Sequence, residues 1–240
     1  TVEGSDREDS AVLDHLRSGK DWDLARRHDG LFYLPAVPDD TQQRKGDLKN
    51  FYHNLDFIEH ASADYILLAN GSFVYNVDFD KVLRFHQNTG ADITLVSHTT
   101  EDENTGRNVV LETAENGLIL DITEKPVAYE GMKVSMGVYL MEKAVFVECV
   151  RYAYEHGGQI FLLDGIIRRA ANYTMFAYAH DGYMAHVDSM STYYRANMEI
   201  LDPSVWEELF MGERPIYTKI KDGVPVQYKD TAKVENSLIA

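Results

Sequence analysis

The chain has 240 residues, 45% of them hydrophobic and 26% charged, which suits one large α/β domain with or without an appendage. Its net charge of −16 repels phosphate backbones and excludes nucleic acid as a non-specific partner. No run approaches the roughly 18 apolar residues of a membrane span and no signal peptide is visible, so the expectation is a cytoplasmic protein without a membrane partner. A phosphorylated small ligand stays compatible with the charge if Lys, Arg or backbone N–H groups cluster locally. The one cysteine, Cys149, cannot form an intrachain disulfide and reads as a core residue of a reducing compartment. The chain opens on Thr1 and an acidic run, Glu3, Asp6, Glu8 and Asp9, and so reads as a fragment.

In chain order, Ser10 followed by apolar spacing up to Gly19 predicts a short N-capped helix. Residues 31–36 predict a strand and 38–44 a polar loop. Leu48, Phe51, Tyr52, Leu55 and Ile58 recur at helical spacing, predicting one helix over 46–60. The apolar run from Tyr65 to Ala69 ends abruptly in Asn70-Gly71-Ser72. Apolar on both faces, it predicts a fully buried, parallel, central strand. Ligands in open α/β sheets lie beyond the carboxyl ends of such strands, so residues 70–75 should face a pocket. An amphipathic helix follows over 79–86, stopped by Thr89-Gly90, and then a second buried strand over 91–97. This strand, helix, strand order implies right-handed crossovers and a largely parallel sheet.

The second half changes character. Residues 98–107 read as a polar loop, and 108–113 with 117–122 as a hairpin turning at Glu115-Asn116-Gly117. A strand is predicted over 132–141, helices over 142–155 and 161–171, strands over 174–179 and 183–187, and a helix over 191–201. Gly157-Gly158 closes the first of those helices. After Pro203 strong periodicity is lost, and a composition shift near Gly212 marks the one candidate boundary, dividing 1–212 from 213–240.

Five motifs in this order resemble the sugar-nucleotide pyrophosphorylases, and within them the ADP-glucose pyrophosphorylase (glucose-1-phosphate adenylyltransferase) family. They are Lys45-Gly46-Asp47-Leu48 opening the helix to Asn54; Phe85-His86 with Gly90-Ala91-Asp92-Ile93-Thr94; Thr123-Glu124-Lys125-Pro126; Ser135-Met136-Gly137-Val138-Tyr139; and Tyr193-Tyr194-Arg195-Ala196-Asn197. The resemblance implies a Rossmann-like nucleotidyltransferase fold with a mixed, mostly parallel sheet. If Tyr65 to Ala69 is a helix or an exposed edge strand, the family assignment fails with it. It further implies that residues 213–240 hold a linker and, at Val234 to Ile239, the first coil of a left-handed β-helix. One coil has almost no core of its own, so any dimer of the chain is expected to involve residues after Pro225.

The departures from the family are as informative. Its reaction joins glucose 1-phosphate to the α-phosphorus of ATP, and such transfer between anions uses Mg²⁺ held by two aspartates. In register, those aspartates fall on Ser72 and His186, neither of which offers the hard anionic oxygen Mg²⁺ prefers. The nucleotide side is degenerate too. Gly46, Asp47 and Leu48 stand where the family has Gly-Thr-Ala, beside Asn70 and Gly71, and the Gly-rich phosphate loop is absent from this chain. The sugar-phosphate side, Glu124, Lys125, Ser135, Met136 and Gly137, is intact. This pattern resembles the GlgD-type second subunit, which implies a regulatory chain of glycogen biosynthesis that binds no metal or other cofactor itself. The implied partners are a catalytic subunit, in a hetero-oligomer, and glucose 1-phosphate or another sugar-phosphate effector.

Other readings stay open on the residues alone. A shifted loop would make Asp78 or Asp188 the metal ligands and the chain a working nucleotidyltransferase. Glu124-Lys125 also fits a solvated hairpin end, and a lone His186 also fits a packed core histidine. A dinucleotide-dependent dehydrogenase would need Gly-x-Gly-x-x-Gly after a strand, which this sequence lacks.

Overall fold

The strand Lys133–Glu142 (β6) is buried on both faces along most of its length because its sequence is an almost unbroken apolar run. In the computed structural model, which describes residues 12–26, 30–34, 46–100, 104–217 and 233, this strand is the axis of the molecule. Ile93–Thr99 (β3) pairs antiparallel along one edge of it. The other edge is shared, by Asn104–Thr113 (β4) at Val134 and by Tyr65–Ala69 (β1) over residues 138–142. Ile119–Ala128 (β5) extends the sheet beyond β4, and Met175–Ala179 (β7) runs parallel to β3 at the far side. A separate two-stranded ribbon joins Phe73–Tyr75 (β2) to Met184–His186 (β8).

The mixed α/β sheet expected from the sequence is therefore present, with two adjustments. Among the described residues only β3–β7 is a parallel pairing, whereas a mostly parallel sheet was predicted. The crossover from β1 through the helix Phe79–Thr89 (α3) does deliver β3 in the same direction as β1. Antiparallel β6 is inserted between them, so the hydrogen-bonded neighbours oppose each other. The second correction concerns β1, predicted central, parallel and fully buried. Among the described residues it pairs antiparallel with β6 alone, and it is half-buried, Leu67 keeping 37% of its surface exposed. An apolar run without alternation marks a strand but carries no information about whether its second edge is covered.

Helices cover both faces of the sheet. On one face, Leu48–His53 (α1), Leu55–His60 (α2) and Lys143–Glu155 (α4) pack Leu48, Leu55, Phe146, Cys149 and Val150 against Ile93, Leu95 and Met141. Phe51, Phe146 and Phe161 meet there edge to face or tilted, with centroids 5.1–5.5 Å apart. On the other face, Val82 of α3 packs on Val96, Met136, Val138 and Leu140. The alternation of Ile93 and Leu95 against Val96, and of Met141 against Val138 and Leu140, assigns each strand residue to its layer. Asp78 caps α3, its carboxylate accepting the N–H groups of Asp80 and Lys81.

Several predicted elements differ in detail. The single helix over 46–60 is two, because Asn54 leaves helical geometry (φ −103°, ψ 11°) while its side-chain amide donates to the Asn50 carbonyl at 2.8 Å. The helix over 161–171 is instead a wide π-type turn, Phe161–Ile166, followed by a tight one, Ile167–Asn172. Asp164 reaches back there to accept from the N–H groups of Gln159 and Ile160, at 2.6 and 2.9 Å. Residues 31–34 form no strand, and the rest of that predicted strand lies outside the described residues. Residues 12–16 are helical, whereas Ser10 lies outside the description. After residue 201, where no periodicity was read, Asp202 caps Pro203–Trp206 and a further turn runs over Glu207–Met211. The hairpin is longer than predicted, β4 and β5 having ten residues each, and its turn uses Gly117 at φ 86°. The predicted β-helix coil at 234–239 and the dimer contact after Pro225 fall outside the described residues.

Candidate functional site

Where β1 ends, the chain makes the turn that the sequence placed at a pocket. Asn70 donates its N–H to the Gly137 carbonyl at 3.0 Å. Its side-chain oxygen accepts both the N–H and the hydroxyl of Ser72, each at 2.9 Å. Opposite, β6 carries a bulge: Val96 pairs with Val138 but Ser97 with Ser135, leaving Met136 and Gly137 without counterparts. Gly137 sits at φ 67°, and a Cβ there would lie 2.7 Å from Cβ of Asn70 and 3.2 Å from the Phe73 ring. Only glycine permits this approach of turn and bulge. The Ser135 hydroxyl accepts the Gly137 N–H at 3.3 Å.

Between these parts lies a cavity of about 310 Å³. Asn70, Ser135, Gly137 and Tyr139 form one wall, and Phe73, His186 and Asp188 the opposite one, with Val109 and Leu162 completing it. The second wall depends on the β2–β8 ribbon, which sets Phe73 across from His186. Their rings stack in parallel, centroids 4.2 Å apart and planes within 8°. The Ser72 carbonyl accepts the Val187 N–H at 2.8 Å, so the segments carrying Ser72 and His186 are tied side by side. A larger cleft of about 710 Å³ runs along α4, and Nε and Nη1 of its lining residue Arg169 are buried without a hydrogen-bond partner among the described residues. Arg151 meets Glu59 and Arg169 meets Glu148, both at 2.6 Å, and Lys143 holds the Glu59 and Ala61 carbonyls.

Burial lowers the pKa of His186, against the opposing pull of Asp188, whose Oδ2 lies 3.9 Å from Nδ1. The imidazole is thus neutral at pH 7. Burial also pushes the Tyr139 phenol up to about 12, a hydrogen bond with Ser135 acting the other way and the Asp47 charge adding to the rise. Asp188 accepts from the Thr192 hydroxyl at 3.1 Å. The donor set does not fit Mg²⁺: Ser72 donates to an amide, His186 is a neutral stacked ring, and Asp188 is the one carboxylate among the described lining residues. Among the described residues no group of three His, Cys, Asp or Glu side chains is arranged to hold a metal.

The residues singled out from sequence are distributed unevenly around the cavity. Asn70, Ser135, Gly137 and His186 line it, and Ser72 stands directly behind Asn70. Gly71 is exposed at the turn. Met136 points the other way, fully buried with Val82 and Val96. Glu124 pairs across the hairpin with Val109, whose side chain lines the cavity, so both lie on one sheet face, whereas Lys125 alternates to the other. Gly46, Asp47 and Leu48 clasp the segment before Phe161. A Cβ on Gly46 would meet the Gln159 carbonyl at 1.8 Å, Leu48 donates its N–H to that carbonyl, and Asp47 accepts the Phe161 N–H at 2.8 Å. Sequence reading missed Tyr139, Val109 and Leu162 as cavity residues. The first had a usable signal, since it lies two and four residues along β6 from Gly137 and Ser135.

A family model for nucleotidyl transferases matches residues 5–203. The glycogen biosynthesis protein GlgD of Geobacillus stearothermophilus is 33% identical over 233 residues, covering 96% of this chain and 58% of that protein. GlgD of Bacillus subtilis (strain 168) is 28% identical over 231 residues, covering 96% and 57%. A glucose-1-phosphate adenylyltransferase of Desulfitobacterium hafniense (strain Y51) is 27% identical over 238 residues, covering 95% and 59%. The chain therefore spans somewhat under three fifths of the length of these curated relatives. The expectation that an edge position of β1 would defeat the family assignment is overturned, because the family match spans residues 5–203, a range that includes β1, the bulge of β6 and the β2–β8 ribbon. The chain belongs to the nucleotidyl transferase family.

Proposed function

We propose that this chain acts in the cytoplasm, in glycogen biosynthesis, as a regulatory and non-catalytic partner of a catalytic glucose-1-phosphate adenylyltransferase chain. The partner would convert ATP and glucose 1-phosphate to ADP-glucose and pyrophosphate. One observation supports the reading: the segments carrying Ser72 and His186, the residues that the family resemblance puts in place of two metal-binding aspartates, are tied by the Val187 N–H to Ser72 carbonyl bond, and His186 lines the cavity as a ring stacked on Phe73. Charge built up in phosphoryl transfer is offset mainly by a metal and its ligands, and these two side chains supply neither. The wall formed by Asn70, Ser135 and Gly137 supports retained recognition of a sugar phosphate, with Glu124 on the adjoining sheet face, whereas Lys125 lies on the opposite face. We further propose the division into 1–212 and 213–240, the second part beginning a β-helix.

The test is pyrophosphate release with Mg²⁺, by the chain alone and by a catalytic chain with and without it. Alone, it should turn over at least about 10³-fold more slowly than the catalytic chain, and its addition should change the catalytic chain's rate. Robust turnover by the chain alone would overturn the proposal, as would a catalytic chain indifferent to it. A competent nucleotidyltransferase is the second reading, favoured by one observation, the Asp188 carboxylate at the cavity wall. It requires that Asp188→Asn abolish a measurable Mg²⁺-dependent turnover.

A further inference from the structure

The helix Met190–Glu199 (α5) is mounted with its apolar side outward. Its inner side is made by Thr192, Ala196 and Glu199. Thr192 closes a capping box with Ser189, Ala196 is the one buried residue of the helix, and Glu199 accepts the Tyr183 hydroxyl at 2.8 Å. The outer side carries Met190, Tyr193, Tyr194 and Met198, with 81%, 54%, 66% and 44% of their surfaces exposed. Tyr193 and Tyr194 lie three and four residues after Met190, and Met198 four after Tyr194, which places the four in one stripe, the reverse of an ordinary surface helix, whose apolar stripe faces the core. Contiguous exposed Met and Tyr mark protein–protein contacts.

We propose that this stripe is a contact between two copies of the chain, the two α5 helices lying antiparallel about a twofold axis at Tyr194. In that arrangement Met190 of one copy meets Met198 of the other and Tyr194 meets its counterpart, as a self-complementary interface requires. Charge favours the same place. The whole chain carries −16, whereas the four stripe residues are uncharged; the helix itself holds Arg195 and Glu199 and is flanked by Asp188 and Asp202. Area agrees as well. At about 200 Å² for a side chain of this size, the stripe exposes about 500 Å² per copy, and two copies reach the roughly 1,000 Å² at which specific interfaces begin. The contact is accordingly a weak one, independent of what the cavity binds.

Sedimentation velocity of the 240-residue chain, from about 1 to about 200 μM, reads the association directly. A monomer–dimer equilibrium is expected, weakened about tenfold or more by Tyr194→Glu and by Met198→Lys. Tyr129→Glu, at an equally exposed tyrosine (55%) far along the hairpin, should leave it unchanged. Circular dichroism and melting temperature establish that each variant is folded. Deletion of residues 228–240 should also leave the dimer in place, which separates this contact from one made by the C-terminal residues. A chain monomeric throughout the range would overturn the proposal, and so would a dimer that Tyr194→Glu and Met198→Lys leave intact.

Discussion

On one side of the cavity the backbone does the shaping: Gly137 at φ 67° carries the β6 bulge against the Asn70 turn, and no side chain could be added there without displacing that turn. On the other side the shape comes from side chains, the stacked rings of Phe73 and His186 held across the β2–β8 ribbon. The contrast shows two ways of building a cavity wall. A wall made of glycine and carbonyls has almost no alternative sequence. A wall made of two flat rings needs only flat rings, and His186 meets that need by stacking on Phe73.

The largest expected effect breaks the backbone wall. Gly137→Ala forces a left-handed alanine against Asn70 and should cost at least about 2 kcal/mol, lowering the melting temperature by roughly 4 °C or more. An unchanged melt would show that the turn moves aside freely. The side-chain wall should then discriminate by shape and charge. His186→Phe keeps a flat, neutral ring on Phe73 and should lie within about 1 kcal/mol of the parent. His186→Asp puts a carboxylate beside Asp188 without a cation and should cost roughly 2 kcal/mol. Equal losses in the two variants would refute the view of His186 as a packing residue. Ser72→Asp combined with His186→Asp should accordingly fail to create turnover, measured as pyrophosphate release with Mg²⁺.

Asp47 extends the comparison to the segment that the family resemblance assigned to the nucleotide. Its carboxylate holds the Phe161 N–H, so Asp47→Ala should cost about 1–2 kcal/mol in a denaturant titration, and added ATP should not shift either curve. The smallest effect is on pH. Burial holds His86, His180 and His186 below the ordinary imidazole value of 6.5. The unfolded chain then binds protons that the folded chain does not once pH drops below 6.5. Their contribution is complete above that pH and is lost as pH falls through the lowered folded values. Melting temperature against pH should bend downward below about 6.5, and His186→Phe should reduce the bend.

Much of this was legible in the residues. The apolar runs at 65–69, 93–96 and 134–141 and the turn signals at Asn70-Gly71-Ser72 and Asn116-Gly117 locate strands and turns, because solvent exclusion and positive φ restrict which residues serve there. The bends were not legible. Asn54 splits a helix and Asp164 rounds out a wide turn through side-chain bonds to backbone groups, which compete with helix geometry only once the chain is nearby. Gly46-Asp47-Leu48 was assigned to a degenerate nucleotide side by resemblance, and the structure adds that Leu48 and Asp47 bond to Gln159 and Phe161.

The sequence by itself determined the apolar runs that become β1, β3 and β6 and the position of the pocket at the end of β1, and the family resemblance singled out Ser72 and His186. These depend on local patterns of polarity and on residue order. Only the tertiary structure decided that β6 rather than β1 is the axis, that neighbouring strands mostly oppose each other, and that Glu124 and Lys125 occupy different faces. It alone showed that α5 wears its apolar stripe outward. Strand order, register and helix orientation are set by contacts between residues far apart in the chain, and a periodic pattern is the same whichever neighbour eventually covers it.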